Sequence, residues 1–209
     1  MFSYQKILNQ VPEDYYDSGV RTNPFQWLWH SWKFHNLKKV LVGMKGNILD
    51  IGCADGSLTE KIKEYLEEAN LVGIDKYKKT INYAIKKWKG VKFIAADARK
   101  LPFANNKFDN ILCIETLEHI PQNHLAIAEF RRVLKRNGKL VVCQDTDSWL
   151  FNFIWFFWTK WKGSVWNGAH VNCMKPENIK NLLVSNGFKI ISKKFTHFGL
   201  EVIFVAKKI

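Results

Sequence analysis

From residue 47 onward, short runs of apolar residues alternate with segments whose apolar positions are three or four residues apart. The short runs predict buried strands, and the wider spacing predicts helices with one buried face. The predicted strands are 47–52, 71–75, 91–97, 108–116, 139–146, 188–195 and 200–208. The predicted helices are 57–69, with Ser57 as N-cap, 77–88, 123–135, closed by Asn137-Gly138, and 176–188.

The order of these elements predicts an α/β fold. Strands that alternate with helices form a doubly wound, mostly parallel sheet covered on both faces. The last two strands are separated only by 196–199, which predicts an antiparallel hairpin at the C-terminal edge of the seven-stranded sheet. No repeat and no Pro/Gly/Ser-rich linker interrupts the chain, so 1–209 is expected to be one domain.

Two aromatic segments lie outside this alternation. Residues 21–41 predict a Trp-rich helix after Asn23-Pro24, as part of an N-terminal helical cap over 1–46. Residues 149–161, WLFNFIWFFWTKW, contain four Trp and four Phe. Their apolar run is broken by Asn152 and falls short of the ~20 residues of a spanning helix.

The chain has 209 residues and a net charge of +13. Residues 160–209 contain nine lysines and only two acidic residues, both glutamates. Such a basic surface favours nucleic acid, anionic membranes or anionic substrates, and it also fits a lysine-rich solvated surface.

The spacing of the cysteines and histidines limits the disulfides and metal sites that the chain could form. The four cysteines form no CxxC pair, so we expect free thiols without disulfides in a reducing cytosol. The N-terminus lacks the pattern of a secretory signal, which favours a cytoplasmic location. The histidines and cysteines show no metal-ligand spacing, and no metal site is predicted.

The motif with the clearest chemistry is ILDIGCADGSLTEKI, residues 48–62. A strand ends in a glycine-containing loop, and a helix follows, which lets a ligand approach the backbone and the free N–H groups of the helix. A Walker loop is excluded because Ser57-Leu58 follow Gly56. The dinucleotide fingerprint is excluded because Ala54 and Ser57 stand where it needs glycines.

Three successive strand ends carry acids. Asp50 precedes the loop, Asp75 ends the second strand, and Asp97-Ala98 follow the third. In doubly wound folds an acid at the end of the second strand binds ribose hydroxyls. The pattern predicts a nucleoside site at the carboxyl edge of the sheet.

With these motifs the chain resembles the class I S-adenosylmethionine-dependent methyltransferases, which have a Rossmann-like sheet. Within that class it is similar to the type 11 group, which includes ubiquinone and menaquinone biosynthesis enzymes. The resemblance covers about 47–146 and is carried by LDIGCADG (49–56), VGIDKY (72–77), AADARKLPFANNKFDNILCIETLEHIP (95–121) and EFRRVLKRNGKLVV (129–142).

The resemblance implies S-adenosylmethionine as cofactor and S-adenosylhomocysteine as product. The positions it implies for cofactor binding are Asp50, Gly52, Cys53, Ala54, Gly56, Asp75, Lys76, Asp97, Ala98 and Glu115. The positions from Asp50 to Gly56 would hold the methionine part of the cofactor. Asp75 and Lys76 would bind the ribose, and Asp97 and Ala98 would contact the adenine. Glu115 would face the sulfonium and the acceptor.

One position departs from the family pattern. Ala54 stands where the family most often has glycine. Alanine is expected to be tolerated there if its φ is negative, and otherwise to narrow the loop. Glu118 is expected to be a solvated or helix-capping acid rather than a site residue.

If the acceptor must lose a proton, a base is needed. His119, in ETLEHIP, is the first candidate, and His170, in GSVWNGAHVN, is the second. A structural role for His119, capping a helix or binding a buried carbonyl, is the alternative.

The resemblance implies a division into a cap over 1–46, a cofactor-binding core over 47–146, an aromatic acceptor-side lid over 147–175, and a C-terminal helix and hairpin over 176–209. Its aromatic segments favour a small-molecule, hydrophobic or lipid-like acceptor, with peripheral membrane contact through 149–166 at the inner membrane face. The alternatives are an RNA or protein methyltransferase, with nucleic acid not favoured, and a non-catalytic cofactor-binding partner subunit.

Overall fold

The computed structural model describes residues 10–161, 163–166, 168 and 170–209. The strands are β1 (Asn47–Ile51), β2 (Asn70–Asp75), β3 (Lys92–Ala95), β4 (Phe108–Ile114), β5 (Leu134–Asp145), β6 (Phe188–Thr196) and β7 (Glu201–Lys208). The helices are α1 (Tyr15–Thr22), α2 (Pro24–Leu41), α3 (Ser57–Tyr65), α4 (Lys78–Lys87), α5 (Asn123–Val133), α6 (Trp149–Trp161) and α7 (Pro176–Ser185).

The seven strands form one sheet in the order β3-β2-β1-β4-β5-β7-β6. The first five strands pair in parallel, and β7 pairs antiparallel with both β5 and β6. The predicted mostly parallel sheet with an antiparallel C-terminal hairpin is therefore confirmed. The strand order reverses between β1 and β4, which places a crevice at their carboxyl ends.

Alternate strand residues supply two separate cores, one on each face of the sheet. In β4, Ile111 belongs to the core under α5 and α7, and Leu112 belongs to the core under α2, α3 and α4. The same alternation runs through β5 and β7. Burial on both faces explains why the strands read as nearly continuous apolar runs.

Several predicted element ends are corrected by the structure. Gly56, with a φ of 78°, is the N-cap of α3, and Ser57 is the first helical residue. Helix α5 ends at Val133, and Asn137-Gly138 lie inside β5 instead of closing the helix. The reason is tertiary, because the buried Leu134 pairs with Phe108 of β4 and starts the strand early.

The described part of the N-terminal segment includes helices α1 and α2, of which only α2 was predicted. The Asn23 side chain accepts the N–H of Phe25 at 3.0 Å and caps α2. Leu37 and Leu41 then pack fully buried against the sheet. The cap thus lies on one face of the sheet, beside α3 and α4.

Helix α1 is attached to the glycine-containing loop. The carboxylate of Asp55 accepts the N–H groups of Tyr16 and Asp17, each at 2.8 Å, and that of Ser57 at 3.1 Å. One buried carboxylate therefore joins the start of α1 to the start of α3.

A buried ion pair attaches α2 to the carboxyl edge of the sheet. The side chain of Lys33 is 1% exposed, and its ammonium contacts Glu115, just after β4. It also lies 3.2 Å from Glu201, the first residue of β7. Nδ1 of His197 lies 3.0 Å from the other oxygen of Glu201 and extends the cluster.

These charges stabilise one another. Burial by itself would raise the pKa of Glu115, but the Lys33 ammonium overrides that effect and lowers this pKa to about 2. Burial opposes the charge of Lys33, and the two carboxylates nevertheless raise its pKa above the ordinary value.

Every helix in the described part of the chain is too short or too polar to span a lipid bilayer.

The ion pair leads to a stability prediction. The variant Lys33→Met leaves Glu115 and Glu201 buried without their cation, and it should lower the free energy of unfolding by about 3–5 kcal/mol. Urea unfolding at neutral pH measures the loss. The matched variant Lys39→Met, on the exposed side of the same helix, should change stability by less than about 0.5 kcal/mol.

The loss should also depend on pH. The depressed pKa of Glu115 contributes stability above its ordinary value of 4.5, and this contribution disappears as the pH falls toward about 2. The difference between wild type and Lys33→Met should therefore shrink over that interval. An equal difference at pH 7 and pH 3 would contradict the ion pair as its source.

Candidate functional site

A cleft opens at the carboxyl ends of β1, β2 and β4, where the strand order reverses. Its walls come from the loop after β1, the ends of β2 and β3, the segment after β4, and the cap. The lining residues are Tyr16, Ile51, Gly52, Ala54, Ile74, Asp75, Lys76, Ala96, Asp97, Ala98, Arg99, Glu115, Thr116, His119, Ile120, Pro121 and Trp166.

The loop after β1 holds two glycines in the left-handed region. Gly52 has a φ of 74°, and a Cβ at this position would lie 2.2 Å from Oγ1 of Thr116. The Thr116 hydroxyl donates to the carbonyls of Ile51 and Ile114 at 3.1 and 2.9 Å, which holds it against the loop. The loop therefore passes close to the segment after β4 and leaves its backbone facing the cleft.

Ala54 also adopts a left-handed conformation, with a φ of 47°. The condition under which alanine was expected to be tolerated, a negative φ, is therefore not met. The reason is a hydrogen bond from the Ala54 N–H to Oδ2 of Asp75 at 3.1 Å, which draws the loop toward the end of β2. Ala54 thus holds a backbone conformation that favours glycine, at a cost of roughly 1–2 kcal/mol.

Two of the three acids predicted for the nucleoside site, Asp75 and Asp97, face the main cleft. Asp75 accepts the N–H of Ala54 and that of Tyr77, the latter at 2.8 Å, and burial raises its pKa. Asp97 is bound by Arg99 and Lys76, with Nη2 at 2.8 Å and Nζ at 3.0 Å from Oδ2. The hydrogen bond from Arg99 holds the pKa of Asp97 well below its usual range.

Asp50 and Cys53 lie behind the loop, in a smaller adjoining cavity that Gly52 and Ala54 separate from the main cleft. The Thr59 hydroxyl donates to Asp50 at 2.6 Å, and burial raises the pKa of Asp50 to about 7. The Cys53 side chain packs in the core under α3 and α4.

The two predicted histidines meet, although 51 positions separate them in the chain. The ring centroids of His119 and His170 are 4.8 Å apart. Burial, and then His119, lower the pKa of His170 to about 4, so its imidazole is neutral at pH 7. Nδ1 of His170 lies 3.4 Å from Oδ2 of Asp145, whose pKa burial raises to about 7.

Glu118 is buried beside these histidines, so its predicted solvent exposure is wrong. Burial and the charge of Asp145 raise its pKa well above the ordinary value. The Glu118 carbonyl accepts the N–H groups of Val171 and Asn172 at 3.0 and 2.9 Å, which holds the 170–172 segment in place.

Aromatic side chains surround the histidines. Trp155 of α6 stacks on His170 with centroids 4.3 Å apart. Trp166 lies 5.8 Å from His119 and also contacts Tyr15 of α1, at 5.5 Å. Helix α6 therefore lies at the same edge of the sheet as the Gly52–Gly56 loop.

Several residues that line the cleft or support it were not predicted individually, namely Lys33, Tyr16, Asp55 and, within the predicted lid, Trp166. Asp55 lies within the LDIGCADG motif and could have been noticed there. The other three belong to segments outside the family motifs, where nothing local distinguishes a cleft-lining residue from a surface one.

Residues 49–142 match the family model described as Methyltransferase domain, of type 11. The demethylmenaquinone methyltransferase of Thermotoga maritima is 24% identical over 176 residues, covering 76% of this chain and 77% of that protein. A ubiquinone/menaquinone biosynthesis C-methyltransferase of Campylobacter jejuni is 28% identical over 186 residues, covering 78% of each chain.

A solved structure shows the same fold. The N-methyltransferase NodS of Bradyrhizobium japonicum, crystallised with S-adenosyl-L-homocysteine, superposes with a TM-score of 0.70 at 21% identity, covering 98% of this chain and 97% of that one.

The chain is a class I S-adenosylmethionine-dependent methyltransferase. Its core carries the type 11 methyltransferase domain, and its cofactor is S-adenosylmethionine.

The strained loop residue leads to a prediction. Ala54→Gly should raise the free energy of unfolding by roughly 0.5–1 kcal/mol, because relief of the left-handed strain exceeds the added entropy of the unfolded chain. Thermal unfolding of the wild type and the variant, with and without S-adenosylhomocysteine, measures this change in stability. In the control Ala128→Gly, in the exposed middle of α5, the same exchange should destabilise the protein by about 1 kcal/mol. Equal losses in both variants would contradict a strained Ala54.

Proposed function

We propose that the cleft binds S-adenosylmethionine and that the chain methylates a small, hydrophobic or lipid-like acceptor lying against the aromatic side chains of the 147–175 segment. The observation that carries this proposal is the meeting of His119 and His170 with Trp155 and Trp166 beside the cleft. The relatives named as demethylmenaquinone and ubiquinone/menaquinone biosynthesis methyltransferases support a small-molecule acceptor.

Two features of the cleft support binding of the cofactor. Gly52 leaves room where a Cβ would collide with Thr116, and the backbone there can approach a ligand. The Asp75 carboxylate accepts two backbone N–H groups and has lone pairs left for the ribose hydroxyls, with Lys76 beside it. Asp97 and Ala98 would contact the adenine.

The remaining proposed contacts involve the methionine part. The Gly52–Gly56 loop would hold it, with Asp50 and Cys53 supporting the loop from behind. Glu115, beside Lys33, would face the sulfonium. When bound, the cofactor supplies an electrophilic methyl group on a positively charged sulfur.

The chain's own residues would then align the acceptor and exclude water, which is the main requirement for transfer from such a donor. The aromatic rings would form the walls of the acceptor site. His119 would accept a proton where the acceptor must lose one, and His170 is the second candidate because its imidazole is neutral at pH 7.

A labelling experiment tests this function. Protein incubated with methyl-labelled S-adenosylmethionine should transfer label into a lipid or metabolite extract and not into matched RNA. His119→Ala should reduce the rate by about 10²–10⁴-fold while S-adenosylhomocysteine binding is kept. The exposed His124→Ala serves as the matched control and should keep the wild-type rate.

Each other outcome contradicts part of the proposal. Label in RNA alone would replace the small-molecule acceptor with a nucleic acid. No label in any extract, despite cofactor binding, would favour a non-catalytic partner subunit. An unchanged rate in His119→Ala would remove its role as base.

We also propose that 149–166 contacts a membrane peripherally, at the inner face in the cytoplasm. Helix α6 exposes large apolar side chains at Trp149, Phe153, Phe156 and Phe157, and Lys160 lies 5.5 Å from the Phe156 ring. Aromatic residues beside lysines suit the surface of an anionic bilayer. Lys162, which also contributed to this prediction, lies outside the described residues.

Vesicle flotation tests the contact. The protein should bind phosphatidylcholine vesicles that contain phosphatidylglycerol and bind weakly without it. Replacing both Phe153 and Phe157 with serine should weaken binding by more than about tenfold, since each inserted ring contributes about 1.5–3 kcal/mol. The control Ile85→Ser, on α4, should bind normally. Equal binding of the wild type and the double variant would refute the contact.

A further inference from the structure

We infer that Glu118, His119 and His170 form a binding site for a divalent transition-metal ion beside the cleft. One ligand atom from each residue lies within 4.8 Å of the others. Ligands of a tetrahedral ion lie roughly 3.3 Å apart at metal–nitrogen distances of ~2.0–2.1 Å, so small side-chain rotations would close the site.

Unsatisfied buried carboxylates provide the second observation. Glu118 is 1% exposed, and its Oε2 has no hydrogen-bond partner among the described residues. Oδ2 of Asp145 is likewise buried, with Nδ1 of His170 3.4 Å away. Within the described part of the chain, neither carboxylate forms an ion pair with a lysine or arginine, because Lys33 pairs with Glu115 and Glu201 instead. A buried carboxylate of this kind is costly unless a cation or a donor satisfies it.

The surroundings hold the three residues in place. Nδ1 of His170 lies 3.4 Å from Asp145, so this carboxylate can orient the imidazole and leave its other nitrogen for the ion. Trp155 of α6 stacks on the same imidazole, with ring centroids 4.3 Å apart. The two hydrogen bonds from Val171 and Asn172 to the Glu118 carbonyl connect the segments that carry the ligands.

The donor set indicates the class of ion. Two imidazoles and one carboxylate suit zinc and similar first-row divalent ions, and they do not suit magnesium or calcium, which prefer oxygen ligands. Three protein ligands leave a position for a water or ligand atom. An ion bound through His119 would compete with the proton that His119 accepts in the proposed function, so the two roles exclude one another at the same nitrogen. The spacing of histidines and cysteines predicted no such site, because the two histidines lie far apart in the chain.

The test uses the full chain without a histidine tag. Isothermal titration with Zn²⁺ alone should show one ion per chain, and Co²⁺ should produce the visible absorption of a low-coordinate site. Glu118→Gln and His170→Ala should each weaken Zn²⁺ binding by at least about tenfold, since even residues that only orient ligands contribute that much. His124→Ala should bind Zn²⁺ like the wild type.

The outcomes separate this inference from the proposed function. Wild-type Zn²⁺ affinity in both ligand variants, or no saturable binding by the wild type, would overturn the site. Preference for Mg²⁺ over Zn²⁺ would overturn the class of ion. S-adenosylhomocysteine binding without metal verifies that each variant is folded. Because Zn²⁺ binding is measured without methyl transfer, failure of the labelling experiment leaves this result unaffected.

Discussion

The carboxyl edge of the sheet depends on the buried ammonium of Lys33. Removing a charge from water is costly, and only close counter-charges offset that cost. Lys33 therefore holds α2 in the one position where it reaches both Glu115 and Glu201. Stacking of His197 on Trp29, at 4.1 Å, supports the same junction. Because Glu115 also lines the cleft, the position of the cap and the shape of the site are set together.

The cleft is built from backbone held in uncommon conformations. Ala54 and Glu115 both have positive φ, and both line the cleft, on the two sides of the strand-order reversal. Such conformations persist only where surrounding contacts impose them, and they concentrate at functional sites. Here the contacts are the Asp75 carboxylate for Ala54 and the Lys33 ammonium for Glu115. Asp55 adds a third contact, because its carboxylate accepts a backbone N–H group of α1 and so joins the loop to that helix. The walls of the site thus come from segments far apart in the chain.

The core of the fold was predictable because its physical causes are local. Strands buried on both faces must be apolar along their length, and helices on the sheet must be apolar on one side. Both kinds of element can therefore be recognised from the pattern of apolar residues in the sequence. Element ends were less predictable. Asn137-Gly138 is typical of a helix end, yet strand pairing at Leu134 decides where α5 stops. Glu118 is an acid of the kind usually found at the surface, yet it is buried, and residues distant in the chain, Val171 and Asn172, bind its carbonyl.

By itself, the sequence determined the seven strands, their alternation with helices, and the acids and glycines at the strand ends, since all of these follow from periodicity and from residues adjacent in the chain. It also identified His119 and His170 separately. Only the tertiary structure decided that these two imidazoles meet, that Lys33 is buried between two carboxylates, and that Ala54 adopts a left-handed φ. The physical reason is that burial, ion pairing and imposed backbone strain arise from contacts between distant segments, which no local pattern encodes.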